Sequence, residues 1–174
     1  MDLKKLVITD QQFSRRIRIT EERLGFHRAA SFLAHSADSW YWIGGLAALW
    51  FFGPPVWKST VALLFVSIFL TAVLVLILKF TIRRPRPEGM WGDFYRRSDP
   101  HSFPSGHAAR AALLTAIMLV QGPLWLGLLM ILWTGLVNYS RIALGVHYLS
   151  DIVAGTALGL VLGWSFSLAW TLIL

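Results

Sequence analysis

The chain alternates between long apolar runs and short polar breaks, and five of the runs are candidates to cross a bilayer. Ser39 to Val56 opens on Trp40, Tyr41 and Trp42 as interface anchors and closes at the tight turn Gly53-Pro54-Pro55. Ser59 to Leu78 is the clearest run, with about the twenty apolar residues that a hydrocarbon core requires, and it stops at Lys79. His107 to Gln121 is helical again, and Gly122-Pro123 turns it into Leu124 to Tyr139. Ile152 to Leu174 is the last run. Its Gly155, Gly159 and Gly163 recur at four-residue spacing, the pattern of a helix face that packs closely on another helix.

Two stretches break this rhythm. Residues 1 to 38 interleave Lys4, Lys5, Arg15, Arg16, Arg18, Arg23 and Arg28 with Leu6, Ile8, Phe13, Ile17, Ile19, Leu24 and Phe26. From about Thr9 that alternation predicts one or two amphipathic helices on the membrane surface. Its end, Arg28 to Asp38, is too short and too polar to span. The second stretch, residues 79 to 106, holds four prolines and three glycines, which rules out a continuous helix. A polar connection of that length in a small domain is usually functional, and Trp91, Phe94, Tyr95 and Phe103 are placed to dip it into the headgroup layer. The expected fold is all-α: an integral membrane helical bundle of about five transmembrane helices plus an N-terminal amphipathic surface helix. Residues 1–38 form the basic segment, and residues 39–174 form one transmembrane domain containing the loop 79–106.

Composition agrees with a membrane class: of 174 residues, 56% are hydrophobic and 14% charged, with nine tryptophans for interfacial belts. There is no cysteine, which excludes disulfides and thiolate chemistry. The net charge of +7 invites a nucleic-acid reading, but the cations cluster at span ends and the apolar runs leave little soluble surface for a duplex. No signal-peptide pattern is expected in the charged first thirty residues. With five spans, Lys79, His107, Arg141, Asp151 and the N-terminal segment fall on one face. Lys58 is then the only Lys or Arg opposite, which points to the cell (inner) membrane with this face in the cytoplasm.

Three separated segments meet at that face. The first is Lys79 with Arg86-Pro87; the second is Pro104-Ser105-Gly106-His107. The third is Ser140 to Asp151, S-R-I-A-L-G-V-H-Y-L-S-D, where His147 and Asp151 are four apart and share a face if the stretch is helical. These segments resemble the three-part signature of the type 2 phosphatidic acid phosphatase family, whose site is shared with vanadium haloperoxidases. That signature is Lys, six residues, Arg-Pro; then Pro-Ser-Gly-His; then Ser-Arg, five residues, His, three residues, Asp. All three parts are present, in order, over residues 79 to 151. Many membrane members have six spans, and here the amphipathic segment stands where the first would be.

The resemblance implies a membrane lipid phosphatase working through a phosphohistidine, with His147 as nucleophile, Asp151 fixing its tautomer and His107 as general acid. The physical reading agrees. Lys79, Arg86 and Arg141 supply three cations for the equatorial oxygens of a transferred phosphoryl group. Ser105 and Gly106 lie at a helix start, where backbone N–H groups and the dipole favour an anion. No metal or other cofactor is expected. The expected partners are a lipid phosphate and the bilayer itself. The substrate class is a phosphate monoester or diphosphate of the phosphatidic acid, phosphatidylglycerol phosphate or isoprenyl type. A vanadate-dependent haloperoxidase and a non-catalytic binder of lipid phosphate are the alternatives.

Each segment alone has a plainer reading. Lys79 and Arg86 read as snorkelling anchors, Pro104 to His107 as a capped helix start, and His147 with Asp151 as a local pair. Their joint occurrence reverses all three. Arg83, Arg84 and Arg110 read as interfacial charges, His101 as a loop residue, His27 and His35 as surface histidines, and the tryptophans as belt and packing residues.

Overall fold

The computed structural model describes residues 3–18, 24–87 and 99–173. Seven α-helices make up nearly all of it: α1 (Leu3–Ile17), α2 (Leu24–His35), α3 (Ser39–Phe52), α4 (Lys58–Ile82), α5 (Gly106–Gln121), α6 (Leu124–Ala143) and α7 (Leu149–Ile173). Trp91, Phe94 and Tyr95, expected at the headgroup layer, lie outside the described residues. Among the described residues there is no strand, only an isolated bridge between Pro85 and His101.

The protein is an integral membrane helical bundle. Three segments, Pro55–Ile82, Leu124–Ala143 and Leu149–Ile173, are long and apolar enough to cross a membrane. The other two expected spans are helices of 14 residues (α3) and 16 residues (α5). At 1.5 Å per residue they reach about 21 and 24 Å, short of a hydrocarbon core of about 30 Å. For α5 the reason is its position. Its residues from Ala108 to Met118 are almost all buried, so α5 is the central helix, walled by α4, α6 and α7 rather than by lipid.

Packing against that centre follows from small side chains. Gly155, Gly159 and Gly163 of α7 face Ala108, Ala109, Ala112 and Ala116 of α5. A Cβ added at any of the three would overlap α5 atoms, so the expected close-packing face is present and its partner is α5. Larger side chains fill the other side, where Leu46 of α3 and Val61, Leu64 and Ile68 of α4 enclose Leu113, Leu114 and Ile117.

Helix ends are set by local chemistry. Helix α4 closes on Arg83 in the left-handed region (φ 53°), just ahead of the Pro85 that bars further helix. Helix α6 ends at Gly145 (φ 65°), whose N–H donates to the Ile142 carbonyl at 2.7 Å. These breaks gather the C-termini of α4 and α6 and the N-termini of α5 and α7 at one end of the bundle. The N-terminal helices meet it there. The Ser14 hydroxyl of α1 accepts from the Leu149 N–H at 2.9 Å, and α2 packs on α6.

Candidate active site

The polar end of the bundle brings the three signature segments together. Lys79, in the last turn of α4, and Arg141, in the last turn of α6, are buried. Arg86 follows α4 on the loop and turns back toward His147. Its Nη1 donates to the Val146 carbonyl at 3.0 Å and lies 3.4 Å from His147 Nε2. Ser105 is the N-cap of α5, its hydroxyl accepting from the Ala108 N–H at 3.4 Å. Its own N–H donates to the Asp151 carbonyl at 3.0 Å, which ties the start of α5 to the start of α7.

His147 and Asp151 do not share a helix. Gly145 ends α6, and α7 begins only at Leu149, so His147 sits on the intervening turn. Asp151 reaches back over this turn. Its Oδ2 accepts from the Tyr148 N–H at 2.9 Å and lies 3.5 Å from His147 Nδ1. The imidazole is thereby oriented with Nδ1 toward the carboxylate and Nε2 toward Arg86. Both residues are buried. Burial first, and then the positive charges of Arg141, Arg86 and Lys79, hold the His147 imidazole well below the usual histidine range. It is therefore neutral at neutral pH, with a lone pair available on a ring nitrogen.

Beside these residues is a cavity of about 250 Å³. Lys79, Asp99, Gly106, His107 and Arg110 line its polar end, and Ile68, Ala72, Val75 and Leu76 of α4 extend it as an apolar strip.

Among the described residues four carboxylates shape the site, and of these only Asp151 stood out in the sequence. Asp99 bridges two of the expected phosphate-binding cations, accepting from Lys79 Nζ at 2.7 Å and from Arg86 Nη2 at 2.6 Å. Asp38, between α2 and α3, meets His107 Nε2 at 2.6 Å through Oδ1 and His35 Nδ1 at 2.9 Å through Oδ2. Burial alone would raise the Asp38 pKa, but hydrogen bonds to His107 and His35 outweigh it and bring the group to about 2. Asp10 of α1 accepts from Arg84 Nη2 at 2.7 Å, and Arg84 Nη1 donates to Asp151 Oδ1, also at 2.7 Å.

Arg84, expected as an interfacial charge, therefore lies inside the site as the counter-charge of a fully buried Asp151. It also stacks 4.2 Å from the Tyr148 ring centroid. Arg110 reaches the Ala37 carbonyl, and His101 packs edge-on against Phe80. A signal for Arg84 was available, since it stands two residues before Arg86 and within the first signature segment. Asp10 and Asp99 had none, because their partners lie far along the chain, and for Asp38 the neighbouring His35 gave no hint of His107, 69 residues on. Among the described residues no group of three or more His, Cys, Asp or Glu side chains gathers as a metal site would need.

Comparison with known proteins points the same way. The chain is 32% identical over 99 residues to an undecaprenyl-diphosphatase of Sulfolobus acidocaldarius, covering 55% of this chain and 48% of that protein. It is 38% identical over 72 residues to a lipid A 4'-phosphatase of Bacteroides thetaiotaomicron, covering 41% and 32%. The chain thus spans about half or less of the length of these relatives. Its fold is similar to the transmembrane PAP2-type phosphatidylglycerolphosphate phosphatase of Bacillus subtilis (TM-score 0.79, 22% identity, 98% of this chain and 88% of that one). It is also similar to Aquifex aeolicus LpxE (TM-score 0.73, 28% identity, 91% and 93%). The PAP2 superfamily model matches residues 60–173, which takes in every signature residue from Lys79 to Asp151, and the chain belongs to that superfamily.

Proposed function

We propose that this protein is a membrane lipid phosphatase that hydrolyses a lipid phosphate monoester or diphosphate through a phosphohistidine. The observation that carries this reading is one cavity with two characters. Its polar end holds Lys79 beside His107, and its other wall is the apolar α4 strip from Leu76 to Ile68. A phosphate fits the first and a hydrocarbon chain the second, so a lipid can react without leaving the bilayer.

In this mechanism Lys79, Arg86 and Arg141 neutralise the phosphoryl oxygens, with the Gly106 backbone at the start of α5 as a further anion-binding element. The Ser105 hydroxyl accepts from Ala108 and keeps its own proton to donate to the phosphate. His147 Nε2 attacks phosphorus while Asp151 stabilises the imidazolium that forms, the role a carboxylate plays in a triad. His107 protonates the departing alkoxide. It then takes a proton from the water that attacks the phosphohistidine, and orthophosphate leaves with both histidines restored.

Asp99 holds Lys79 and Arg86 in place of a phosphate, and substrate binding exchanges its carboxylate for phosphoryl oxygens. The relatives act on an undecaprenyl diphosphate, lipid A or phosphatidylglycerol phosphate by their names, and a lipid phosphate of those classes is the substrate proposed here. The clustering of cations at the site's end of the bundle supports a cytoplasmic face in the cell (inner) membrane. A cysteine introduced at Ser98 and probed with a membrane-impermeant thiol reagent tests that face, because the chain has no native cysteine.

The catalytic reading is tested by phosphate release from a panel of lipid phosphates. His147→Ala and His107→Ala are each expected to abolish turnover in protein that stays folded and membrane-inserted. Wild-type rates in either variant overturn the assignment.

A further inference from the structure

We infer that Asp38, which lies outside all three signature segments, is the positioning residue of the general acid His107. This rests on the reading of His107 given above and adds the group that makes it effective.

The placement of Asp38 is specific. Its Oδ1 meets His107 Nε2 at 2.6 Å, and its Oδ2 is held by His35 Nδ1 at 2.9 Å. The short link that carries Asp38 is braced from three sides. Trp133 Nε1 of α6 donates to the Ser36 hydroxyl at 2.9 Å, and Trp42 Nε1 of α3 donates to the Ser36 carbonyl at 3.1 Å. The two indoles lie 5.3 Å apart, and Arg110 of α5 reaches the Ala37 carbonyl. Ala34 and Ala37 on either side are fully buried. A carboxylate that merely solvated a surface would not need such a mount.

The chemical consequence follows from the two ring nitrogens. With Nε2–H committed to Asp38, Nδ1 is the nitrogen that gives and takes the catalytic proton. In the first half-reaction the His107 imidazolium gives its Nδ1 proton to the leaving alkoxide oxygen as the P–O bond breaks and the His147–phosphorus bond forms. In the second, water loses a proton to Nδ1 as its oxygen bonds phosphorus, and the phosphoryl–His147 bond breaks. Asp38 stays ionised throughout and stabilises the imidazolium at both ends of the cycle. The pair is needed because burial, and then the positive charges of Arg141 and Arg110, hold the His107 imidazole well below the usual histidine range, with Lys79 and its counter-ion Asp99 across the cavity. Among the described residues Asp38 is the carboxylate that opposes this and favours the imidazolium.

The test uses two substrates. An alkyl lipid phosphate has a leaving group that requires a proton, and a nitrophenyl phosphate has one that does not. For Asp38→Asn, kcat/KM on the alkyl phosphate is expected to fall by about 10- to 100-fold, part of the roughly 10²–10⁴ that a general acid contributes. On the nitrophenyl phosphate, where kcat/KM reports attack by His147, the fall stays within about threefold. The alkaline limb of the alkyl-phosphate pH profile moves to lower pH, since the carboxylate no longer favours the imidazolium. Asp38→Glu recovers part of the loss. An equal fall on both substrates assigns Asp38 to packing alone and overturns the proposal. Wild-type values on both, with His107→Ala inactive, also overturn it and leave the reading of His107 standing. An active His107→Ala removes both.

Discussion

Substituting Gly159 by alanine adds one methyl group at the closest approach of α7 to the central helix α5. An added Cβ would lie 2.9 Å from the Ala112 Cβ and 2.9 Å from the Ala109 carbonyl carbon, with the carbonyl oxygen nearer still. Carbon atoms prefer about 3.5–4.0 Å, so the two carbon contacts alone require the helices to part by roughly 0.6–1 Å, and the nearer carbonyl oxygen requires more. Neither neighbour is the end of a flexible side chain, so the backbones must move. Overpacking of this kind costs about 1–3 kcal/mol.

The catalytic cost arises because the two helices carry opposite halves of the site. Helix α5 brings Ser105 and His107, while α7 brings Asp151, and the Ser105 N–H to Asp151 carbonyl bond at 3.0 Å joins them. A misplacement of about 1 Å between reacting groups can lower turnover about 10²-fold. The series is graded by distance from Asp151. Gly155 is four residues away, about 6 Å along the helix, and Gly163 twelve residues, about 18 Å. An added Cβ at Gly155 overlaps the Ser105 carbonyl oxygen itself, whereas at Gly163 it meets Leu113 and Ala116. Thermal unfolding in detergent and phosphate-release kinetics, measured on all three alanine variants, separate the two effects. All three are expected to lose stability, with kcat/KM falling most at Gly155, less at Gly159 and least at Gly163. Wild-type stability and rate in Gly159→Ala, or an inverted order of rates, would refute the argument.

Three further outcomes follow from the carboxylates and the buried histidine. Arg84→Ala leaves the fully buried Asp151 without its cation and is expected to destabilise the protein by about 3–5 kcal/mol and to slow turnover, measured by unfolding and phosphate release. A variant as stable as wild type would show that Arg84 is dispensable to Asp151. Asp99→Asn removes the anion that competes for Lys79 and Arg86, so KM for a lipid phosphate should drop about three- to tenfold; an unchanged or higher KM would count against that competition. His147, neutral in the folded protein, protonates near pH 6.5 once unfolded. The unfolded state therefore binds more protons below that pH, and stability falls as pH drops from about 7 to 5. Asp38, at about 2 against an unfolded 3.8, contributes stability above pH 3.8 and loses it only as pH falls toward 2. His107, buried beside Arg141 and Arg110, is shifted the same way, so His147→Gln should lessen but not abolish the fall in melting temperature between pH 7 and 5, and a slope equal to that of wild type would exclude His147 as a contributor.

Which parts of this site were legible in the sequence depended on the range of the interaction. Lys79, Arg86, Ser105, Gly106, His107, Arg141, His147 and Asp151 stood out because each signature segment is a short string in which residue type and spacing both carry chemistry. The glycine stripe of α7 was legible for the same reason: helical periodicity reports a face, although not that the facing partner is α5. Asp38 and Asp10 were hidden, since His107 lies 69 residues from the first and Arg84 and Ser150 lie 74 and 140 from the second, and an aspartate in a polar N-terminal segment looks solvated. Asp99 lies 13 and 20 residues from the cations it bridges, too far for a local pattern, and Arg84 was read as the interfacial arginine that span ends commonly carry. Helix α5 lies where the sequence placed it, and its shortness follows from its surroundings, because the usual span length assumes lipid on the outside and α5 has protein there.

Asp10 Oδ1 also accepts from the Ser150 N–H at 3.1 Å, and that reach bears on how the chain is made. Helix α1 leaves the ribosome early, while Ser150 and Asp151 of α7 emerge about 140 residues later. Until α7 has been inserted, Arg84 and Asp10 have only one another, and the Ser105 N–H has no carbonyl to meet. The pairs of Lys79 and Arg86 with Asp99 can form before then, but the polar end of the bundle closes only once α7 is in place. A chain arrested before α7 would leave Arg84 without Asp151 and the polar end open at the bilayer edge, a feature by which quality-control proteases can distinguish it from the assembled protein.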